Sequence, residues 1–579
     1  MAGWVRTLVP CLHKNLLLAK VLSMVRHLVT AGLLLACVSV QAEDWSRFRG
    51  PAGSGVANGS VALPTHWSPN ANMAWKFEMP GPGASSPIII GDKAFVTCYT
   101  GYGVDRNAVG ELKDLMRHLI CVDVKTGKKI WQKDVEAVQP EDPFSGAGVP
   151  AHGYASHTPV SDGKNVYCFF GKSGVHAFDM EGNKLWDAAV GTESDPPQWG
   201  SSSSPVVFGN VVIVVAAAES QSIIGFDKTS GKEVWRKEAK GLDNMWGTPA
   251  LVKVDDKRTD LVMCVANEIW GLDPANGDFL WLAGKTGSSM AYSSVFPGTD
   301  NKRVYAMPSS RNGGGSMAVD AGGEGDVSET MVAWKGRDTA SFATPVVHNG
   351  KIYNVANDVV TVIDAKTGER SGERFRLKGY MASRLEYPSP IVAGDRLFRL
   401  NSRGQVFVLA LGDEPEQIAV NRLSNDDAEA FWGTPAVSNG RMLVRSSQYL
   451  YCVADKGETV SEEDMKMAKA SPSAGAPAAG GNQNRRRTLN DVFAENDGNE
   501  DGKLDKSEVE KITFLPTERL MTLDKDEDGA ISKEEFQNVR SLFQQRGGNR
   551  GGGNRGGRGG AGGSSKPDRP QRPKFRGDK

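Results

Sequence analysis

Apolar runs along this chain share one ending. "HLICV", "GVHAF" and "SIIGF" are each followed by an aspartate, a turn containing glycine and a short run carrying an aromatic. The pattern links Asp123, Gly127 and Trp131, then Asp179, Gly182 and Trp186, then Asp227, Gly231 and Trp235, then Asp273, Gly277 and Trp281. Looser copies end at Trp334 and Phe375. An aspartate closing a strand can accept backbone N–H bonds from the turn, and glycine supplies the left-handed conformation a tight hairpin needs. Each copy therefore reads as the last hairpin of a small antiparallel sheet.

A second pattern precedes each copy. "SSPIII", "HTPV", "SSPVV", "GTPALV", "ATPVV", "PSPIV" and "GTPAV" place prolines at 87, 159, 205, 249, 345, 390 and 435, with Val295 of "YSSVF" in the remaining place. After a first step of 72 residues the spacing is 44 to 50. A period of that length holding four short strands is the signature of a β-propeller blade. The eighth opener, at Pro435, has no aromatic strand after it, while "NMAWKFEM" around Trp75 stands unmatched before the first. With "EQIAVNRL" near Val420 completing the seventh blade, the count predicts an all-β, eight-bladed propeller over 43–460. The Trp75 strand would close its last sheet and remove the open edge.

The 579 residues carry 68 basic and 69 acidic side chains, so net charge names no partner. "MVRHLVTAGLLLACVSVQA" has the basic start, apolar core and small residues of an export signal, giving a leader over 1–42 with Met24 as a possible start. Lipidation at Cys37 is the alternative to simple cleavage, and no other run is long enough to span a membrane. Cys98, Cys121, Cys168, Cys264 and Cys452 lie in apolar runs, which suits buried thiols. Residues 461–487 read as a flexible linker and 546–579 as a disordered Gly/Arg-rich tail. In an exported chain that tail suits loose contact with an anionic polymer rather than specific nucleic-acid recognition.

Between linker and tail, 488–545 carries the most specific chemistry. "DGNEDGKLDKSE" places Asp497, Asn499, Asp501, Asp505 and Glu508 at loop positions 1, 3, 5, 9 and 12, with the Lys503 carbonyl at position 7. "DKDEDGAISKEE" does the same with Asp524, Asp526, Asp528, Ser532 and Glu535, and the Ala530 carbonyl. Glycines 502 and 529 take the sharp turn at position 6. Hard oxygen donors at this spacing suit Ca²⁺ over transition metals. The loops resemble a pair of EF-hands in a small α-helical domain.

The repeats, together with "WSRFRGPAGSG" and "AWKFEMPGPGASSPII", look like bacterial propellers with pyrroloquinoline-quinone-type repeats, of the quinoprotein alcohol dehydrogenase-like fold. That family includes true quinoproteins and non-enzymatic scaffolds of outer-membrane assembly, so the resemblance leaves function open. Before each opener stands a hydroxyl residue: Ser86, Thr158, Ser204, Thr248, Ser294, Thr344, Ser389 and Thr434. Two positions earlier lie Trp246, Tyr292, Phe342, Tyr387 and Trp432, with Trp199 and Tyr154 near register. Such a collar at a channel mouth could hold a flat quinone, with Trp246, Trp432, Tyr292 and Tyr387 as its contacts, or could simply fill the mouth. The resemblance implies, for the enzymes, an adjacent-cysteine disulfide and carboxylates over Ca²⁺. No two cysteines here are adjacent. The sequence is therefore read as an exported calcium-binding propeller acting as a binding or scaffolding module, with an envelope protein as partner. A calcium-dependent quinoprotein dehydrogenase of alcohols or sugars is the alternative.

Overall fold

The computed structural model describes residues 44–57, 63–469 apart from short gaps, parts of 493–539, and 571–576. The expected leader, most of the linker and most of the tail lie outside the described residues.

Eight sheets form the ring, each with four antiparallel strands. The first blade is Ile88–Ile90, Lys93–Thr100, Met116–Asp123 and Lys129–Glu136, and the seventh ends in Glu416–Arg422. The eighth has three strands from the C-terminal side, Ala436–Ser438, Arg441–Arg445 and Tyr449–Ala454. Its outer strand is Met73–Glu78, which pairs antiparallel with Tyr449–Ala454 and sets Trp75 opposite Cys452. The propeller is thus eight-bladed and closed by its N-terminal strand, as the unmatched runs predict. The long first step in the repeat comes from loops at 101–115 and 137–159, which build a satellite cluster of Tyr99, Tyr102, Leu115, Val149 and Tyr154.

The recurring Asp–Gly–Trp pattern has two structural jobs. Within a blade, Asp123 Oδ1 accepts the backbone N–H groups of Lys125 (3.0 Å) and Thr126 (2.7 Å) and so fixes the turn. The Asp227 and Asp364 carboxylates do the same for their turns. Between blades, the turn glycine lies flat against the indole of the preceding blade. A methyl group on Gly127, Gly182, Gly231, Gly277 or Gly368 would come within 2.5–2.8 Å of Trp75, Trp131, Trp186, Trp235 or Trp334 respectively. The indole N–H then donates to the carbonyl just after the turn aspartate. Trp75 reaches Val124 (2.8 Å), Trp131 reaches Met180 (3.1 Å), Trp186 reaches Lys228 (3.0 Å) and Trp334 reaches Ala365 (3.0 Å). Aspartate shapes the turn, glycine admits the ring, and tryptophan fastens one blade to the next.

The segment "WSRFRGPAGSG" crosses the central channel. Trp45 bridges Ile89 of the first blade, and the Ser46 carbonyl accepts the Ser161 N–H of the second (2.9 Å). The turn Pro51–Gly53 lies against the inner strands Ala250–Lys253 and Phe296–Pro297. Val56 pairs parallel with Val392 of the seventh blade. Arg49, 1% exposed, donates from Nη1 to the Thr344 carbonyl and from Nη2 to the Pro345 carbonyl, both at 2.6 Å. Burial pushes its pKa down to about 9. Nothing in the repeat pattern announces this crossing, because the segment belongs to no blade.

Residues expected to begin the linker form the helix Glu462–Lys469 instead. Ser461 caps it, its hydroxyl accepting the Asp464 N–H at 3.0 Å, and three acidic residues fill the first turn. The helix seats on the seventh blade through the Ala468 carbonyl, which accepts from Gln405 (2.7 Å). "SEED" before "MKMAK" carried this signal.

Candidate functional site

The eight hydroxyl residues at the blade openers form one closed circuit. The backbone N–H of Ser86 donates to Thr158 Oγ1, Thr158 to Ser204, Ser204 to Thr248 and Thr248 to Ser294. Ser294 continues to Thr344, Thr344 to Ser389, Ser389 to Thr434, and Thr434 returns to Ser86. Every link is 2.9 or 3.0 Å and buried. Serine and threonine are needed here because each inner strand begins with a buried N–H that has no partner within its own blade.

Above this circuit the aromatics form an arc rather than a full collar. Trp199 meets Trp246 (centroids 5.6 Å), Trp246 stacks on Tyr292 (5.0 Å, 23°), Tyr292 meets Phe342 (5.1 Å) and Phe342 meets Tyr387 (4.9 Å). The Trp246 indole N–H donates to the Gly200 carbonyl (3.0 Å). Trp432, half-buried on the eighth blade, stands outside that run of ring contacts. Tyr154 is buried among Tyr99, Tyr102 and Phe144 over the first two blades. The first three blades carry Ala84, Ser156 and Ser202 where the other five carry aromatics.

Polar residues beside the arc hold one another. His152 contacts Ser156 (2.7 Å) and the Trp199 carbonyl (2.8 Å), and His157 contacts Ser201 (3.1 Å). The Ser201 hydroxyl donates to Glu219 Oε1 (2.5 Å), while Glu219 Oε2 is buried with no partner. Burial pushes the Glu219 carboxyl up to about 7 and the His157 imidazole down to about 3. Glu386 faces Arg399 (3.3 Å) and accepts from Ser402. Asp243 and Asn244, just before Trp246, form a short turn at Leu242–Asn244. Sequence reading missed Glu219, whose only signal is an acid closing the apolar run "VIVVAAAE". The five cysteines at 98, 121, 168, 264 and 452 are buried free thiols.

In the C-terminal pair, Lys503–Asp505 and Ala530–Ser532 form a two-stranded antiparallel sheet with Leu504 opposite Ile531. Those two apolar residues meet Phe493, Val509, Leu520, Leu523, Phe536 and Val539 in a separate core. Glycines 502 and 529 adopt φ of 81° and 90°, which lets each loop reverse. Asp497 accepts the Gly502 N–H (3.1 Å) and Asp524 the Gly529 N–H (3.0 Å), so both loops fold the same way. Asn499 and Asp505 accept from Asp501 and Glu508 within the first loop. Ligand oxygens of Asp524, Asp526 and Asp528 lie within 4.8 Å of one another, and Asp524 Oδ1 is buried with no partner. Convergent hard oxygens with one orphaned acceptor fit a calcium ion, with Ser532, Glu535 and the Ala530 carbonyl completing the loop. Lys503 donates to Asp528, so a side chain of the first loop competes for a ligand of the second.

Residues 67–283, 115–370 and 326–476, overlapping stretches that cover the blades, match the repeat family described as outer membrane protein assembly factor BamB. The chain belongs to that family. Residues 489–513 and 519–539 match EF hands. No curated protein matches the chain. Among solved structures, BamB from Moraxella catarrhalis is 14% identical, covering 67% of this chain and 99% of its own, with a TM-score of 0.45. A quinohemoprotein alcohol dehydrogenase from Pseudomonas putida HK5 is 12% identical, covering 87% and 95%, with a TM-score of 0.46. A europium-containing methanol dehydrogenase is 12% identical, covering 64% and 89%, with a TM-score of 0.35. Among the described residues no helix is long and apolar enough to cross a membrane.

Proposed function

We propose that this protein is an exported calcium-binding module whose propeller binds or scaffolds an envelope protein and does not turn over a substrate. One observation carries the reading: the channel lining is engaged in the protein's own architecture. All eight hydroxyls accept circuit bonds, and the segment from Trp45 to Val56 runs across the channel below them. The arc supports it too. Trp246 and Tyr292 cover one another's faces at 5.0 Å, and a flat quinone needs such a face open. Among the described residues, the group of carboxylates close enough to hold a metal is Asp524, Asp526 and Asp528, in the EF-hand pair. Calcium there would order the two loops, with Glu508 and Glu535 supplying the bidentate ligands.

The family includes quinoproteins, so a dehydrogenase is the reading to defeat. The full chain and a Glu508→Gln/Glu535→Gln variant are incubated with pyrroloquinoline quinone and Ca²⁺ and freed of unbound cofactor. Both are then assayed by absorbance and by dye-linked oxidation of alcohols and aldoses. The expected result is no retained chromophore and no turnover in either protein. Stoichiometric retention with turnover lost in Trp246→Ala would overturn the scaffold reading.

A further inference from the structure

The outermost strand of the fourth blade differs from its counterparts. Lys129–Glu136 and Glu233–Glu238, the outer strands of the first and third blades, each carry several charged residues and are largely exposed or half-buried. In the fourth, Phe279–Gly284 reads "FLWLAG" and is buried throughout. An uncharged outer strand is an invitation to pairing unless something covers it. Two segments do. Gly325–Asp326 pairs parallel with Trp281 and Leu282, and residues 571–576, at the far end of the chain, take the remainder.

The second contact is a built one. Phe575 forms a parallel bridge with Phe279, and the Arg576 N–H donates to the Phe279 carbonyl (3.0 Å). The Gln571 N–H donates to the Lys240 carbonyl (2.7 Å), which pins the other end. The Phe575 ring packs on Phe279 with centroids 5.0 Å apart, and Phe279 meets Trp270 edge-on at 5.3 Å. Arg572 lies over the Phe575 ring at 5.0 Å, and its charge reaches Asp326. Arg576 Nε lies 3.7 Å from Asp278. Backbone pairing, an aromatic anchor and an acidic residue on each side are the elements of strand-addition peptide recognition.

We propose that the edge of the fourth blade is a recognition site for an extended basic peptide anchored by a phenylalanine, and that its resident ligand is this chain's own Gln-Arg-Pro-Lys-Phe-Arg, residues 571–576, bound in cis. Pro573 fixes its own backbone φ and lacks an N–H donor, which limits the pairing to a short register. With the helix Glu462–Lys469 seated on the seventh blade, this latch ties both ends of the EF-hand segment to the propeller.

The test uses a fluorescent peptide of residues 566–579 and the full-length protein. Phe575→Ala vacates the groove at a half-buried position outside the blades and leaves the blades intact. A second protein, terminated after Pro570, vacates it without any substitution. Fluorescence anisotropy is expected to show saturable binding to both, at least tenfold tighter than to wild type. There the tethered resident competes at an effective concentration of about a millimolar. Adding Asp278→Asn and Asp326→Asn to Phe575→Ala is expected to weaken binding by about two- to tenfold, the scale of exposed ion pairs. Equal binding to wild type and the vacated proteins, equal binding of a scrambled peptide, or no saturation by millimolar peptide would each overturn the proposal. Concentration-dependent dimers of wild type, lost on truncation after Pro570, would replace the cis assignment with exchange between copies.

Discussion

The tryptophan–glycine contact between blades can be isolated by comparing two glycine substitutions. Gly231 has φ of 71°, and a methyl group there would come within 2.6 Å of the Trp186 indole. Gly163 has φ of 86° in a hairpin of the second blade, and a methyl group there would meet nothing within 4 Å. Both alanines carry the backbone penalty of a left-handed residue, about 1–2 kcal/mol. Only Gly231→Ala must also push the indole away. Overpacking costs about 1–3 kcal/mol, and displacement stretches the 3.0 Å bond from the Trp186 indole to the Lys228 carbonyl, a further ~1 kcal/mol. The expected totals are about 1–2 kcal/mol for Gly163→Ala and about 3–6 kcal/mol for Gly231→Ala. Urea unfolding followed by tryptophan fluorescence gives both values from the midpoint shift at constant slope. A difference below about 0.5 kcal/mol, the usual error of additivity, would refute interblade docking as the reason for glycine in the repeat.

Three further outcomes follow from named contacts. Thr248→Val keeps the shape but removes the acceptor for the Ser204 N–H (3.0 Å), so the orphaned donor is expected to cost about 1–3 kcal/mol in the same urea assay. Calorimetry on the full chain is expected to show two Ca²⁺ sites near 10⁻⁴–10⁻³ M, roughly the range of extracellular modules, both strongly weakened in Glu508→Gln/Glu535→Gln. Burial raises the Glu219 carboxyl from 4.5 to about 7, so the folded protein holds a proton that the unfolded chain releases. Its stabilising contribution is full below about 4.5 and is lost as pH rises through about 7. Glu219→Gln stays neutral throughout, so its urea midpoint is expected to fall less between about pH 5 and pH 8 than that of wild type.

The ring was legible because its period is carried by residues that each meet a local need. Pro435 without an aromatic partner and Trp75 without an opener pointed to one another across the chain, and they meet in one sheet. The hydroxyl before each opener was visible too, but its partner is the next blade's backbone, which spacing within one repeat does not reveal. The aromatic positions were read as a collar; they form an arc because Ala84, Ser156 and Ser202 break the series and Tyr154 is drawn into the satellite cluster. Arg49 and Phe575 were invisible in their roles. Each acts at long range through backbone carbonyls or a strand edge, and neither repeats. The EF-hand loops sit at the opposite extreme, since twelve consecutive residues hold nearly everything their geometry requires.

The channel-crossing segment also sets a schedule for assembly. Arg49 finds its carbonyl partners about 295 residues downstream, and the strand of Trp75 waits for Cys452. The strand of Trp75, made before any blade, therefore has no seat until the last blade exists. Contacts of such separation must pay loop-closure entropy before they return anything, which slows folding. A ribosome-bound chain can stack its middle blades while both ends stay loose. Ring closure is then a single late event that secures the first and last blades together, and a chain interrupted before Tyr449 is left with a permanently unpaired edge that invites other strands.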